Sequence, residues 1–169
     1  MLLRYRVIMA CAATMLAPPV MAQERTKWHS VAEGKGVSVV FGVPGDAESN
    51  VFRASCDKRG APIQFWYLSD QSTLPRQRTR PDGTRVEVGA VKIVVEVDSI
   101  SHQYTGRGQP EEMYGGHEIV WSASVEDALF KSLSQGRSAT FVIGGKREKP
   151  INLKGSLPHL QKLHEKCSI

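Results

Sequence analysis

The stretch FRASCDKRGAPIQFWYL, residues 52–68, decides how the rest of the chain is read. Phe52, Ala54 and Cys56 alternate with Arg53 and Ser55, the period-2 pattern of a strand with one face in a core. Asp57-Lys58-Arg59-Gly60 supplies a tight turn, and Ile63 to Leu68 resumes as an aromatic-rich strand. The segment therefore predicts a β-hairpin, with Cys56 pointing inward from its first strand.

Strand patterns continue on both sides. Val37, Val39, Phe41 and Val43 alternate with Ser38, Val40 and Gly42 ahead of a Pro44-Gly45-Asp46 turn. Thr84 to Val88 predicts a short strand. Val91, Ile93, Val95 and Val97 alternate with Lys92, Val94, Glu96 and Asp98, and this is expected to be the longest strand. His117 to Ala123, carrying Trp121, Ala139 to Ile143, and a short edge strand at Pro150 to Leu153 complete the set.

Two helices interrupt this pattern. Ser124-Val125-Glu126-Asp127 has the spacing of a capping box, with Ser124 as N-cap. Leu129, Phe130 and Leu133, with Ala128, form an apolar stripe after it, and Gly136 is expected to end the helix in a left-handed cap. The terminal stretch GSLPHLQKLHEKCSI, residues 155–169, predicts a helix N-capped by Ser156 with Pro158 in its first turn. Leu160, Leu163 and Cys167 share one side of it, and Lys162, Glu165 and Lys166 face water. The fold class expected is mainly β (α+β): an antiparallel β-sandwich or curled sheet with one inserted helix and a disulfide-tethered C-terminal helix.

The start of the chain has the form of an export signal. Arg4 and Arg6 precede an apolar run from Val7 to Ala17, and Val20 and Ala22 are small residues placed for cleavage. The run is shorter than the ~20 residues a spanning helix needs. Residues 1–22 are thus expected to leave, and 23–169 to form one periplasmic domain. The leader removes two arginines and no acid from a chain of net charge +5, leaving too small an excess to argue for nucleic acid. Cys11 leaves with the leader, so Cys56 and Cys167 remain, and two cysteines in an oxidising compartment are expected to pair.

Two segments are candidates for binding. The first, Ser69 to Arg85, reads as an exposed loop carrying Arg76, Arg78, Arg80 and Arg85, whose guanidinium forks suit lipid phosphates, peptidoglycan acids or an acidic protein face. The second, HQYTGRGQPEEMYGGH, reads as a glycine-rich loop that gathers His102, Tyr104, Arg107, Glu111, Glu112, Tyr114 and His117. Those residue types suit zinc, but no spacing demands it. His159 and His164 stand about 140° apart around a helix and do not converge on one ion. Nucleophile motifs such as GxSxG and SxxK are absent, as are CxxC and the phosphate-loop ending. No catalytic residue, metal or cofactor is expected.

The order of these elements resembles a known group. Cys56 on a strand, the aromatic strand after it, VVEVD, Trp121-Ser122 before a short helix ending at Gly136, FVIGG, and then INLKGSLPHLQKLHEKC follow one another. This is similar to exported proteobacterial proteins of the VasI type, associated with type VI secretion, and more distantly to invasion-associated locus B proteins. The resemblance covers roughly Val51 to Cys167, and its motifs are structural: a strand cysteine paired with one closing a C-terminal helix. It implies a non-enzymatic envelope accessory protein whose partner is an envelope protein or cell-wall component, and it fixes no oligomeric state. Other roles consistent with the pattern are an inhibitor of a cell-wall lytic enzyme such as lysozyme, and a hydrolase or metalloprotein using the 102–117 segment.

Overall fold

The computed structural model describes residues 26–33, 36–70, 77–79, 85–87, 90–110 and 116–169. The expected leader, Arg76, Arg80, Glu111, Glu112 and Tyr114 lie outside them. Strands β1 (Lys27–Glu33), β2 (Gly36–Gly42), β3 (Phe52–Cys56) and β4 (Ile63–Ser69) are followed by a short pair, β5 (Gln77–Thr79) and β6 (Arg85–Glu87). Then come β7 (Val91–Val97), β8 (Ile100–Pro110), β9 (His117–Ala123), helix α1 (Ala128–Gln135), β10 (Ser138–Ile143), β11 (Lys146–Arg147), β12 (Ile151–Asn152) and helix α2 (Leu157–Cys167).

Ten of these strands form one antiparallel sheet in the order β1-β2-β3-β4-β9-β8-β7-β10-β11, with β12 also paired to β10. The sheet curls until its two halves face each other. Phe52 and Tyr67 from one half meet Phe141 from the other, and the Tyr67 and Phe141 rings stack with centroids 4.2 Å apart. The ends of the sheet are joined by Trp28, whose indole N–H donates to the carbonyl of Asn152 at 2.8 Å. Of the two architectures expected, the curled sheet is the one observed. Its inner face holds the alternating residues read from the sequence, including Val39, Ala54, Ile63, Ile93, Val95, Ile119 and Phe141, all buried.

Helix α2 packs its Leu160–Leu163–Cys167 side against the inner face, chiefly over β2, with all three residues fully buried. Cys167 is bonded to Cys56, with 6.1 Å between their Cα atoms and 111 positions between them in sequence. Next to the bond, the Gly60 amide donates to the Cys167 carbonyl at 2.7 Å, so covalent and hydrogen bonds fix the helix end to the β3–β4 turn.

Several local expectations are corrected. Residues 102–110 are not a loop: β8 runs from Ile100 to Pro110, at eleven residues longer than β7. β8 pairs with β7 through Gly106 and with β9 from Arg107, which requires a long strand changing partners midway. Residues 77–79, expected within a loop, pair antiparallel with β6, which falls inside the short strand expected at Thr84 to Val88. β1 is a further strand for which the sequence reading had no expectation.

The helix termini also differ. Asp127, not Ser124, caps α1, its carboxylate accepting from the Leu129 amide at 2.8 Å. Ser124 sits one turn earlier and accepts from Glu126. Gly136 follows α1 with an extended backbone, so a left-handed cap is not the reason for glycine. A Cβ there would lie 2.4 Å from Val97 Cγ1 and 2.9 Å from the Ser132 carbonyl, so close packing is. Ser156 holds the position before α2, but its hydroxyl donates to the Leu133 carbonyl at 3.1 Å, tying α1 to α2 in place of capping.

Candidate functional site

The expected site residues are distributed by β8. Because side chains alternate along a strand, His102 and Tyr104 project to the inner face and Arg107 to the outer. Buried His102 places Nε2 3.0 Å from the Ser132 hydroxyl of α1. Half-buried Tyr104 donates to Asp127 at 2.5 Å. Burial, and then that hydrogen bond to the carboxylate, push the Tyr104 phenol well above its ordinary range. The phenol is therefore a fixed donor that holds β8 to the start of α1.

His117 lies at the far end of β8, opposite Pro110. From His102 to Pro110 the strand covers roughly 27 Å at 3.4 Å per residue. His102 and His117 therefore do not share a metal ion, and the pairing suggested by their closeness in sequence is corrected. Among the described residues, no group of three or more His, Cys, Asp and Glu side chains is placed to hold a metal. No helix among them is long and apolar enough to cross a membrane. Arg78 and Arg85 sit at register positions of the β5–β6 pair, matched with Val86 and Thr79 respectively.

His117 belongs to a buried polar group at one end of the curled sheet. It is the cross-strand partner of Ser69, and directly opposed residues share a face with Cβ atoms ~5 Å apart. The fully buried Ser69 hydroxyl donates to the Glu148 carboxylate at 2.6 Å. Burial first, then the charges of Glu148 and Asp70, raise the neighbouring Tyr67 phenol far above its usual range. Serine, histidine and glutamate together invite a hydrolase reading. A nucleophilic serine, however, faces the substrate, whereas Ser69 is 0% exposed with its hydroxyl held by Glu148. This group holds β4 to the connection after β11. Neither Ser69 nor Glu148 stood out in the sequence, since Glu148 lies in the uniformly charged run KREK.

Neither a family model, nor a curated protein, nor a solved structure matches this chain.

The outer face carries the remaining polar and aromatic groups. Register places His29, Val40, Arg53, Trp66, Val120 and Arg107 in one row across six strands. Arg53 lies over the Trp66 ring at 5.0 Å from its centroid, a cation–π contact, and its Nε donates to Ser38 at 3.3 Å. A hollow of about 240 Å³ opens beside them, between Glu48, Val51, Leu68 and Glu118. Farther along the row, a larger cleft of about 840 Å³ opens at Arg107, where β8 and β9 part. Arg53 and Arg107 are three strands apart, roughly 14 Å at the usual strand spacing. The row was hidden in the sequence because its members come from six separate strands.

Proposed function

We propose that this is an exported, non-enzymatic binding or accessory protein of the cell envelope, kept in the periplasm after removal of residues 1–22, in the manner of the secretion-associated proteins it resembles. The observation that carries the reading is the Cys56–Cys167 bond, which fixes the C-terminal helix to the core. A bond of this kind persists in oxidising compartments and is rare where thiols are kept reduced. It supports the signal-peptide reading of the first residues, and the two together support export. The binding role is supported by the outer-face row, which presents arginine and tryptophan on a rigid sheet.

The test is capture from envelope extracts. The oxidised protein, purified from the periplasm and immobilised, is expected to retain one envelope protein or cell-wall component reproducibly, and the reduced, alkylated form to lose it. Repeated capture of nothing by the oxidised form rejects the binding role.

A further inference from the structure

A pocket of about 340 Å³ opens beside Tyr67, where the two halves of the curled sheet meet. Phe41, Val51 and Leu68 form one wall, and main-chain bonds hold them together: the Val51 amide donates to the Phe41 carbonyl at 3.0 Å, and the Leu68 amide to the Val51 carbonyl at 2.9 Å. Pro150 and Ile151 form the opposite wall, with Ile151 paired to Ala139 of β10. The walls are thus apolar and fixed by backbone bonds. A cavity near the lower end of the ligand-pocket range, preformed at the mouth of a curled sheet, suits a small molecule and not a folded partner.

The polar groups of the pocket are chiefly acceptors. Tyr67 is 3% exposed, yet its hydroxyl makes no hydrogen bond to any described residue. Two carboxylates of the same pocket, Glu148 and Asp70, add to burial in raising the Tyr67 phenol, so the hydroxyl faces the end of the pocket where they lie. Glu148 is 8% exposed and accepts from Ser69 through one oxygen, and a carboxylate has about four acceptor positions in all. Asp70 is exposed and stands at the mouth. Lys149, also exposed, is the one base of the lining, and it forms an ion pair with neither acid. The pocket therefore pairs apolar walls with a negative end.

We propose that this pocket binds a small amphipathic amine, its ammonium held by Tyr67, Asp70 and Glu148 and its hydrocarbon chain lying between the Val51 and Ile151 walls. A primary ammonium has three N–H donors, and the pocket offers three oxygen-bearing groups to receive them. The chain displaces water from the apolar walls, while an anionic ligand of the same shape meets like charge. The inference goes beyond the envelope-binding role and is independent of it, because the pocket includes neither Arg53 nor Arg107 of the outer-face row.

The test titrates oxidised, ¹⁵N-labelled protein with n-hexylamine in an amine-free buffer near neutral pH, where an alkylamine is protonated. Saturable shifts are expected at the amides of Leu68, Asp70, Glu148, Lys149 and Ile151. The neutral n-hexanol and the anionic hexanoate, with chains of the same length, should each bind about tenfold more weakly or worse. Asp70 and Lys149 are exposed, so their variants should fold. Asp70→Asn is expected to weaken hexylamine and leave hexanol unchanged, and Lys149→Ala to strengthen hexylamine. Shifts centred elsewhere, shifts that never saturate, equal binding of the three compounds, or a hexylamine affinity unchanged in both variants would overturn the proposal.

Discussion

The indole N–H of Trp28 donates to the main-chain carbonyl of Asn152 at 2.8 Å, across 124 positions of sequence, and so connects the first strand of the curled sheet to the last. Trp28 is 5% exposed, and its ring packs against Phe41 and Phe52, at centroid separations of 5.2 and 5.7 Å. The residue thus closes the sheet with a polar bond at one edge of its ring and an apolar contact over the rest.

These two contributions separate by substitution. Trp28→Phe keeps an aromatic ring but leaves the Asn152 carbonyl without its donor, and is expected to cost about 1–2 kcal/mol in urea unfolding. Trp28→Ala, which also empties the space, should cost about 3–5 kcal/mol. No loss from Trp28→Phe would show that the bond contributes nothing, and equal losses from the two that the ring contacts contribute nothing.

The start of α1 gives a second test. Asp127 accepts from both the Leu129 amide and the Tyr104 hydroxyl. Asp127→Ala should therefore destabilise by about 2 kcal/mol, combining a lost cap with a lost side-chain bond. Ser124→Ala is expected to stay within about 0.5 kcal/mol. A double-mutant cycle of Asp127→Ala with Tyr104→Phe should give a coupling near 1 kcal/mol, and additive losses would contradict the shared bond.

Glycine at position 106 is required by space. A Cβ on Gly106 would meet the Val120 carbonyl oxygen at 2.4 Å and Ile93 Cδ1 at 2.5 Å. Gly106→Ala must move backbone where β8 changes partners, and a loss of about 1–3 kcal/mol or more is expected from thermal unfolding. Gly136→Ala meets a side-chain methyl and a carbonyl and should fall in the same range. An unchanged melting temperature for Gly106→Ala would mean that β8 does not approach β9 as described.

His159 sets a pH dependence. Its Nδ1 is 2.8 Å from the Ser30 hydroxyl, and burial, followed by the nearby His29 and Lys162 charges, lowers its pKa below the usual 6.5. A base with a depressed folded pKa binds fewer protons folded than unfolded. Its contribution is thus fully present above the unfolded pKa of about 6.5 and is lost as the pH falls toward the folded value. Stability measured from pH 7.5 to 5 should fall less steeply for His159→Gln than for wild type. A steeper fall in the variant would reverse the sign.

Much of the fold was legible because period-2 alternation is a strong signal where one face is buried. Phe52, Ala54 and Cys56, Ile93, Val95 and Val97, and Leu160, Leu163 and Cys167 all point where their spacing put them. β8 was not, because its inner positions are His102, Tyr104, Gly106 and Gly108: Gly106 stands where the strand crowds its neighbours, and the two polar residues reach α1. Gly106 looked like a loop residue when it was a mark of close approach. β1 hid for a related reason, since Trp28, Ser30 and Ala32 alternate with too little apolar weight to be noticed, and Ser30 faces a histidine. The candidate site was the least legible part. Arg107 was singled out, but its neighbours Val120, Trp121 and Ser122 come from another strand, and only the register brings them together.

The decisive measurement for an exported domain locked by Cys56–Cys167 is intact-mass spectrometry of protein from the periplasm of an expressing host, alkylated without reduction. The predicted result is a single species that begins at Gln23, takes up no alkylating agent and is two hydrogens lighter than the dithiol. Recovery of the chain from the cytoplasm with residues 1–22 attached, or of a periplasmic form with Cys56 and Cys167 both alkylated, would contradict it.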